Sequence, residues 1–209
     1  MDAAGVLGPI CTALSVGFVW PQVIRIYRLD SVEGLSPYGT MQGLTGCALW
    51  TAYGINKGIG PIIISNGAIG AAMVMIAAAQ VRHKALSVRR LAVLALVVGA
   101  VIAVTLSISV TLEGSIAIVV GVTSMIPQAL YVTRTEDLSA LSLPMYGLVL
   151  LSVLLWTAYA LVLGDTQIII TNALIAPFAF FVALKTFRYQ YSAARTAPDV
   201  TPELAAELP

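Results

Sequence analysis

Charged residues are scarce in this chain. Asp, Glu, Lys and Arg make up 10% of its 209 residues, whereas a soluble domain carries about 25%. Hydrophobic residues make up 59%. Such a chain has too little polar surface to cover itself in water, so the composition predicts an integral membrane protein. The net charge of +1 comes from a few charges at segment ends, and it gives no reason to expect a nucleic-acid partner.

Several sequence motifs that are typical of enzymes and cofactor-binding proteins are also missing. The sequence contains no glycine-rich phosphate loop, no cluster of metal ligands and no nucleophile motif. We therefore expect no enzymatic activity, no cofactor and no metal site. The two cysteines, Cys11 and Cys47, lie in apolar stretches, so we expect packing residues rather than a disulfide. The N-terminus carries an acid where a signal peptide needs basic residues, so the first segment is expected to remain as a helix.

Seven segments are long and apolar enough to cross a hydrocarbon layer of roughly 30 Å, which takes about 20 helical residues. They are about 4–27, 38–56, 60–82, 90–111, 114–133, 142–163 and 166–188. The remainder, after Tyr191, is rich in Ala, Pro and Glu and predicts a solvated, disordered tail. The sequence therefore predicts an all-α membrane protein with seven transmembrane helices.

An internal repeat organises these segments. Residues 16–69 recur 106 positions later without a gap. The identical pairs include Pro21–Pro127, Gln22–Gln128, Trp50–Trp156, Tyr53–Tyr159 and Asn66–Asn172. Because each copy holds three helices, an odd number, direct fusion would invert the second copy. The unrepeated segment 90–111 restores its direction, which predicts two parallel three-helix bundles joined by a linker helix, a 3+1+3 arrangement.

The repeat and the charges together define domains and orientation. We predict a first triple-helix repeat at 1–84, a linker helix at 85–112, a second triple-helix repeat at 113–190 and a cytoplasmic tail at 191–209. Ten of the eleven basic residues fall on one face of this arrangement, and only Lys57 falls on the other. The positive-inside rule then places the N-terminus outside and the C-terminus in the cytoplasm. We expect a multi-pass protein of the plasma membrane.

Polar and aromatic residues share one depth in the predicted bundle. Trp50 precedes the outer end of the second segment by six or seven residues, and Asn66 follows the outer start of the third by the same number, which is about 10 Å at 1.5 Å per residue. The repeat brings Trp156 and Asn172 to the same layer. Alone, the asparagines suit helix–helix hydrogen bonds and the tryptophans an interfacial belt. All four together favour a ligand site, and an amide beside an indole face suits a neutral polyhydroxylated ligand.

Two further layers flank this one. Pro21 and Pro127 lie within the first and fifth segments, where a proline kinks a helix, so they are either hinges or static kinks. At the outer mouth, Tyr53 and Tyr159 follow the tryptophans by three residues. A contact of Asp165 with a tyrosine, or with Lys57, would close the outer entrance. We expect little from the exposed Lys57.

These residues resemble those of the SWEET sugar transporters and of their half-sized bacterial relatives, the SemiSWEETs, within the PQ-loop superfamily. The resemblance is carried by the two Pro-Gln pairs, by the stretches LWTAYG at 49–54 and LWTAYA at 155–160, and by an asparagine 16 residues after each tryptophan. It covers all seven predicted helices.

The resemblance implies facilitated diffusion of mono- or disaccharides by alternating access. It implies a substrate pocket of Trp50, Asn66, Trp156, Asn172, Gly46 and Ser152. It also implies an outer gate of Tyr53, Tyr159 and Asp165, and hinges at Pro21, Gln22, Pro37, Pro127, Gln128 and Pro144. Two departures from symmetry bear on substrate size: Pro37 and Pro144 are out of register by one position, and Gly46 is matched by Ser152.

The sequence favours passive transport over coupled transport. No ionisable residue falls in the middle of a predicted span, and coupling to a proton gradient needs such a group. Two alternatives remain: a PQ-loop transporter of an amino acid or another small metabolite, proton-coupled or not, and a non-transporting membrane receptor. The expected partners are a small neutral sugar and the lipid bilayer. The predicted pocket is complete in one chain, so a homo-oligomer is compatible but not required.

Overall fold

The computed structural model describes residues 2–33, 35–134, 138, 141 and 143–196. These residues form helices and the short turns between them. The helices are α1 (Ala3–Leu29), α2 (Pro37–Lys57), α3 (Gly60–Arg82), α4 (Val88–Ile108), α5 (Val110–Thr123), α6 (Ile126–Arg134), α7 (Leu143–Leu163) and α8 (Thr166–Thr196).

Most predicted segments match one helix each. Among the first four segments and the sixth, the predicted and observed helix ends differ most at the end of the fourth segment. That end was expected at residue 111, and the helix ends at Ile108. The last helix continues through Thr196, beyond the position after Tyr191 where the tail was expected to begin. The rest of that predicted tail lies outside the described residues.

Five of the helices are long and apolar enough to cross a membrane, namely α1, α3, α4, α7 and α8 up to Tyr191. Helix α2 has 21 residues but a lower hydropathy, and α5 has only 14 residues. The chain is therefore an all-α, multi-pass membrane protein, as its composition predicted.

The expectation of one continuous fifth helix over 114–133 is wrong. The chain leaves the helix after Thr123 and enters α6 at Ile126, one residue before Pro127. A proline ring has no N–H to donate to the fourth residue before it, and it collides with the carbonyl of that residue. The fifth segment is therefore broken, not merely kinked.

Three polar side chains donate hydrogen bonds to carbonyl groups near the end of α5. Thr123 donates its hydroxyl to the Val119 carbonyl at 2.7 Å, Ser124 donates to Gly121 at 2.6 Å, and the Gln42 amide donates to Val120 at 3.2 Å. Their counterparts in the other copy are Gly17, Phe18 and Leu148, which have no donor groups. Helix α1, which lacks these side-chain donors, runs unbroken through Pro21.

The helices pack in two groups that mirror the repeat. In the first half α3 packs against α1 and α2, and in the second α8 packs against α5, α6 and α7. Between the halves, α1 contacts α7 and α2 contacts α5, while α4 packs on α2 and α5. Helices α2 and α7 have the same length, and each is followed by a glycine with positive φ, 68° at Gly58 and 69° at Gly164. The reciprocal contacts are those of a pseudo-two-fold arrangement.

The apolar core differs between the two ends of the bundle. At one end both halves share one cluster, made of Cys11, Tyr53, Ile59, Ile62, Tyr159, Ala160 and Ile168. We call this the closed end. At the opposite end, the proline end, each half has its own core. The first is centred on Val23 and Ile76, and the second on Val132 and Val182.

Two glycines allow the helices to approach at the closed end. A Cβ added at Gly8 would lie 2.6 Å from Cγ of Pro61 and 3.3 Å from Cε2 of Tyr159. A Cβ added at Gly114, its repeat counterpart, would lie 2.9 Å from Cε2 of Tyr53. Each tyrosine ring therefore packs directly on the backbone of a helix from the other half.

We expect Gly114→Ala to lower the free energy of unfolding by about 1–3 kcal/mol, because the added methyl group meets the rigid Tyr53 ring. Gly121→Ala is the matched control in the same helix, since a Cβ there meets no atom within 4 Å. The control should leave stability unchanged or raise it by up to about 1 kcal/mol. Thermal unfolding of the purified protein in detergent measures both, and equal losses would contradict the close packing.

Candidate ligand-binding cavity

A cavity of about 170 Å³ lies between the two halves, next to the shared core. It is lined by Ser15 of α1, Trp50 of α2, Ile62, Ser65, Asn66 and Ile69 of α3, Trp156 of α7, and Ile168, Thr171 and Asn172 of α8. The two Trp–Asn pairs expected at one depth are thus brought together around one space. Their role in binding a substrate stays a prediction.

The hydrogen bonds of the lining side chains differ between the copies. Asn66 donates its amide to the Ile62 carbonyl of its own helix at 3.1 Å. The Asn172 side chain and the Trp50 indole N–H have no hydrogen-bond partner within the described part of the chain. Trp156 donates its indole N–H to the Ser15 hydroxyl at 3.1 Å. The cavity therefore presents polar groups that a ligand can satisfy.

Three hydroxyl residues of the lining, Ser15, Ser65 and Thr171, are not among the site residues predicted from the sequence. Ser65 and Thr171 donate to carbonyls of their own helices, at 3.2 Å and 2.7 Å, as short hydroxyl side chains in apolar helices commonly do. Their position 106 residues apart, each directly before an asparagine, was a usable signal. Ser15 had no such signal, because its counterpart is a glycine.

Each tryptophan is held by the tyrosine one turn further along its helix. The rings of Trp50 and Tyr53 meet edge to face, with centroids 5.5 Å apart and planes at 83°. Trp156 and Tyr159 repeat this contact at 5.7 Å and 80°. Such pairs contribute about 0.5–1.5 kcal/mol beyond burial. The wall of the cavity is thereby connected to the closed end.

Asp165 closes that end by joining the two halves. The Tyr53 hydroxyl contacts both carboxylate oxygens, at 2.7 and 2.9 Å, and the Ile168 backbone N–H donates to the same carboxylate at 3.1 Å. Asp165 is thus also the N-cap of α8, a position that favours an acid. It is 5% exposed. The carboxylate therefore has a structural role in its own helix besides the contact with Tyr53.

The closed end is not symmetric. Lys57 Nζ lies 3.8 Å from Asp165, but the lysine side chain is 46% exposed, so this ion pair is expected to contribute little. The counterpart of Asp165 is Ile59, which gives α3 no side-chain cap. Tyr159, the counterpart of Tyr53, is buried without a hydrogen-bond partner among the described residues.

The structure does not bring Gly46 and Ser152 to this cavity. A Cβ at Gly46 would lie 3.9 Å from Val120, at the contact of α2 with α5. Ser152 is half-buried in α7 and is absent from the lining. Their predicted part in the pocket has no support in this conformation.

The residues predicted as hinges lie toward the proline end. Pro21 is inside α1, Pro37 begins α2, Pro144 is the second residue of α7, and Pro127 follows the break. Gln22 lines a separate pocket of about 280 Å³ with residues of the turn after α1. The Gln128 side chain lies outside the described part of the structure.

A buried carboxylate that the sequence analysis left aside lies in the first turn of α5. Glu113 is fully buried, and the Thr105 hydroxyl of α4 donates to one of its oxygens. The other oxygen has no partner among the described residues. Glu113 lies just before the predicted span 114–133, so it was not counted among charges in the middle of a span. Its burial is visible only from the packing of the helices.

These features define a class: a multi-pass helical membrane protein whose second half repeats the first around a cavity with a doubled Trp–Asn pair. Residues 3–61 match the family model described as PQ loop repeat. The fold is similar to that of a eukaryotic SWEET transporter solved at 3.7 Å resolution, with a TM-score of 0.72 and 14% identity, covering 91% of this chain and 100% of that chain. No curated protein matches the sequence. The expected resemblance is thus matched in two respects: a PQ loop repeat over residues 3–61, and a fold similar to that of a SWEET transporter.

We expect Tyr53→Phe to lower the free energy of unfolding by about 1–3 kcal/mol, because it removes a hydrogen-bond donor from the buried Asp165 carboxylate. Tyr159→Phe is the matched control, since that hydroxyl has no partner among the described residues. The control should change stability by less than about 0.5 kcal/mol. Thermal unfolding of both variants measures the two changes in stability. A larger loss of stability in Tyr159→Phe than in Tyr53→Phe would contradict the asymmetric hydrogen bonding of the closed end.

Proposed function

We propose that the chain is a facilitative transporter that moves a small neutral sugar across the membrane by alternating access. The observation that carries the proposal is the cavity between the halves, in which two tryptophan faces and two asparagine amides surround one space. Indole faces suit the C–H side of a sugar ring, and amides suit its hydroxyls. The fold shared with a SWEET transporter supports the same conclusion.

The size of the cavity favours a monosaccharide. Its volume of about 170 Å³ is below the roughly 300–1,000 Å³ of pockets for drug-sized ligands. A disaccharide would require the halves to move apart first.

The proposed architecture has seven spans, with α5 and α6 together forming the fifth. Helices α1–α3 form one bundle, α5–α8 form the other, and α4 is the linker, in agreement with the contacts between the helices. The basic residues favour a cytoplasmic proline end, with the N-terminus outside and the C-terminus inside, and the proposed site is the plasma membrane. One chain contains the whole cavity.

The structure corresponds, in this proposal, to the state closed toward the outside. The halves share a core and the Tyr53–Asp165 contact at the closed end, whereas each half has a separate core at the proline end. Opening would rock one half against the other. The break before Pro127 is the proposed hinge, since few backbone hydrogen bonds cross it.

We expect purified protein in liposomes to take up labelled glucose until the gradient is dissipated. Asn172→Ala should lower the apparent affinity about 10- to 100-fold, because a polar group at the cavity loses its hydrogen bonds to the sugar. Ser107→Ala is the control, since Ser107 is exposed on α4 and donates only to its own helix. Uptake equal to that of the parent in Asn66→Ala and Asn172→Ala would contradict the pocket, and no uptake of any sugar would favour a receptor.

A second candidate is proton-coupled transport of an amino acid or another small metabolite, and Glu113 is the observation that favours it. A buried carboxyl group in a membrane protein is costly and is commonly kept for function. One oxygen of Glu113 has no hydrogen-bond partner among the described residues.

Uptake of labelled glucose and of labelled amino acids, each at equal and at unequal pH across the liposome membrane, separates the two candidates. For the uniporter we expect no dependence on the gradient, and Glu113→Gln should retain uptake within about twofold, since the amide preserves the shape of the side chain. Accumulation that requires a proton gradient and disappears in Glu113→Gln would establish the coupled transporter instead.

A further inference from the structure

One hydrogen bond joins the two halves at the level of the cavity. The Trp156 indole on α7 donates to the Ser15 hydroxyl on α1 at 3.1 Å. Both residues line the cavity, and Ser15 is 8% exposed. A buried hydrogen bond between two helices in an apolar surrounding fixes the orientation of both side chains. The Trp156 ring is thus held as a fixed wall.

The other half lacks this bond. The repeat places Gly121 where the first copy has Ser15, so no hydroxyl is available to Trp50. The Trp50 indole N–H accordingly has no acceptor within the described part of the chain. A Cβ added at Gly121 meets no atom within 4 Å, so the space for a serine exists and is unfilled. The two tryptophan rings therefore occupy matching positions, but only the N–H of Trp156 has an acceptor among the described residues.

Ser15 also keeps a donor of its own. Its oxygen accepts from Trp156, and its hydroxyl proton has no acceptor among the described residues. Thr12, one turn earlier, differs because it donates to the Gly8 carbonyl at 2.9 Å. A hydroxyl that already accepts a hydrogen bond becomes a better donor. Ser15 can therefore donate to a molecule in the cavity without giving up Trp156.

We propose that Ser15 is a specificity-determining residue of the cavity. It positions the Trp156 ring and donates its hydroxyl proton to the ligand, while on the opposite wall the Trp50 N–H is left for the ligand alone. A sugar that binds with acceptor oxygens toward Ser15 and Trp50 therefore has one preferred orientation in a cavity whose apolar walls are nearly symmetric. The inference rests on the proposed sugar-transport function.

Double-mutant cycles on glucose binding test it, measured by titration calorimetry on the full chain in detergent. Ser15→Ala should weaken binding about 3- to 10-fold, the usual net value of one hydrogen bond. Combined with Trp156→Phe its effect should be less than additive, whereas combined with Trp50→Phe it should be additive. Gly121→Ser offers Trp50 an acceptor and should reduce the effect of Trp50→Phe. Additivity in the Ser15–Trp156 cycle would overturn the proposal.

A spectroscopic test separates failure of this inference from failure of the sugar proposal. In the Trp20→Phe, Trp50→Phe double variant, Trp156 is the only indole. There Ser15→Ala should shift the emission maximum to shorter wavelength, because the N–H loses its acceptor, and Gly121→Ser should leave it unchanged. An emission unaffected by Ser15→Ala overturns the positioning role even if glucose binds. If no sugar binds but the emission shifts, the sugar proposal fails and the positioning role is upheld.

Discussion

The close approach of backbone and tyrosine ring at the closed end is the constraint on which the rest of the structure depends. Helices in an apolar solvent gain little from hydrophobic burial against one another, so small residues that permit close packing decide where they cross. Gly8 and Gly114 provide that packing on both sides of the pseudo-two-fold. Because Tyr53 and Tyr159 sit on these glycines, the tryptophans one turn further from the mouth face each other across a cavity rather than across a packed core.

The two copies agree in their apolar and aromatic contacts and differ in their hydrogen bonds. The edge-to-face pairs of Trp50 with Tyr53 and of Trp156 with Tyr159 agree within a few tenths of an ångström and a few degrees. By contrast, Asp165 replaces Ile59 at the closed end, and Thr123 replaces Gly17 at the break. Each replacement adds a polar side chain to one copy alone. The two halves thus form a cavity with nearly symmetric aromatic walls, while the polar side chains around it differ between the halves.

Much of this architecture could be predicted because its signals are local. Hydropathy and the 106-residue repeat gave helix bounds close to those observed, and the rarity of polar residues in apolar helices singled out Trp50 and Asn66 with their counterparts. The break before Pro127 was not predicted, because both copies carry a proline at this position. The counterpart, Pro21, lies inside the unbroken α1. One of the side chains that donate near the break, Gln42, comes from another helix, a contact that the local sequence does not show. Ser15 was not predicted because its partner, Trp156, lies 141 positions away, and Glu113 was not predicted because only packing shows its burial.

Within the described part of the chain, hydrogen bonds cross between the halves at three depths: Tyr53 to Asp165 at the closed end, Trp156 to Ser15 at the cavity, and Gln42 to Val120 and Thr123 near the break. Opening the closed end must break the first of these, because it joins the halves at that end itself. A ligand that accepts the Ser15 proton leaves the second intact, because the serine oxygen accepts and donates at once. Under the proposed function, the ligand would bind without breaking the Trp156–Ser15 bond, and opening of the mouth would break the Tyr53–Asp165 contact.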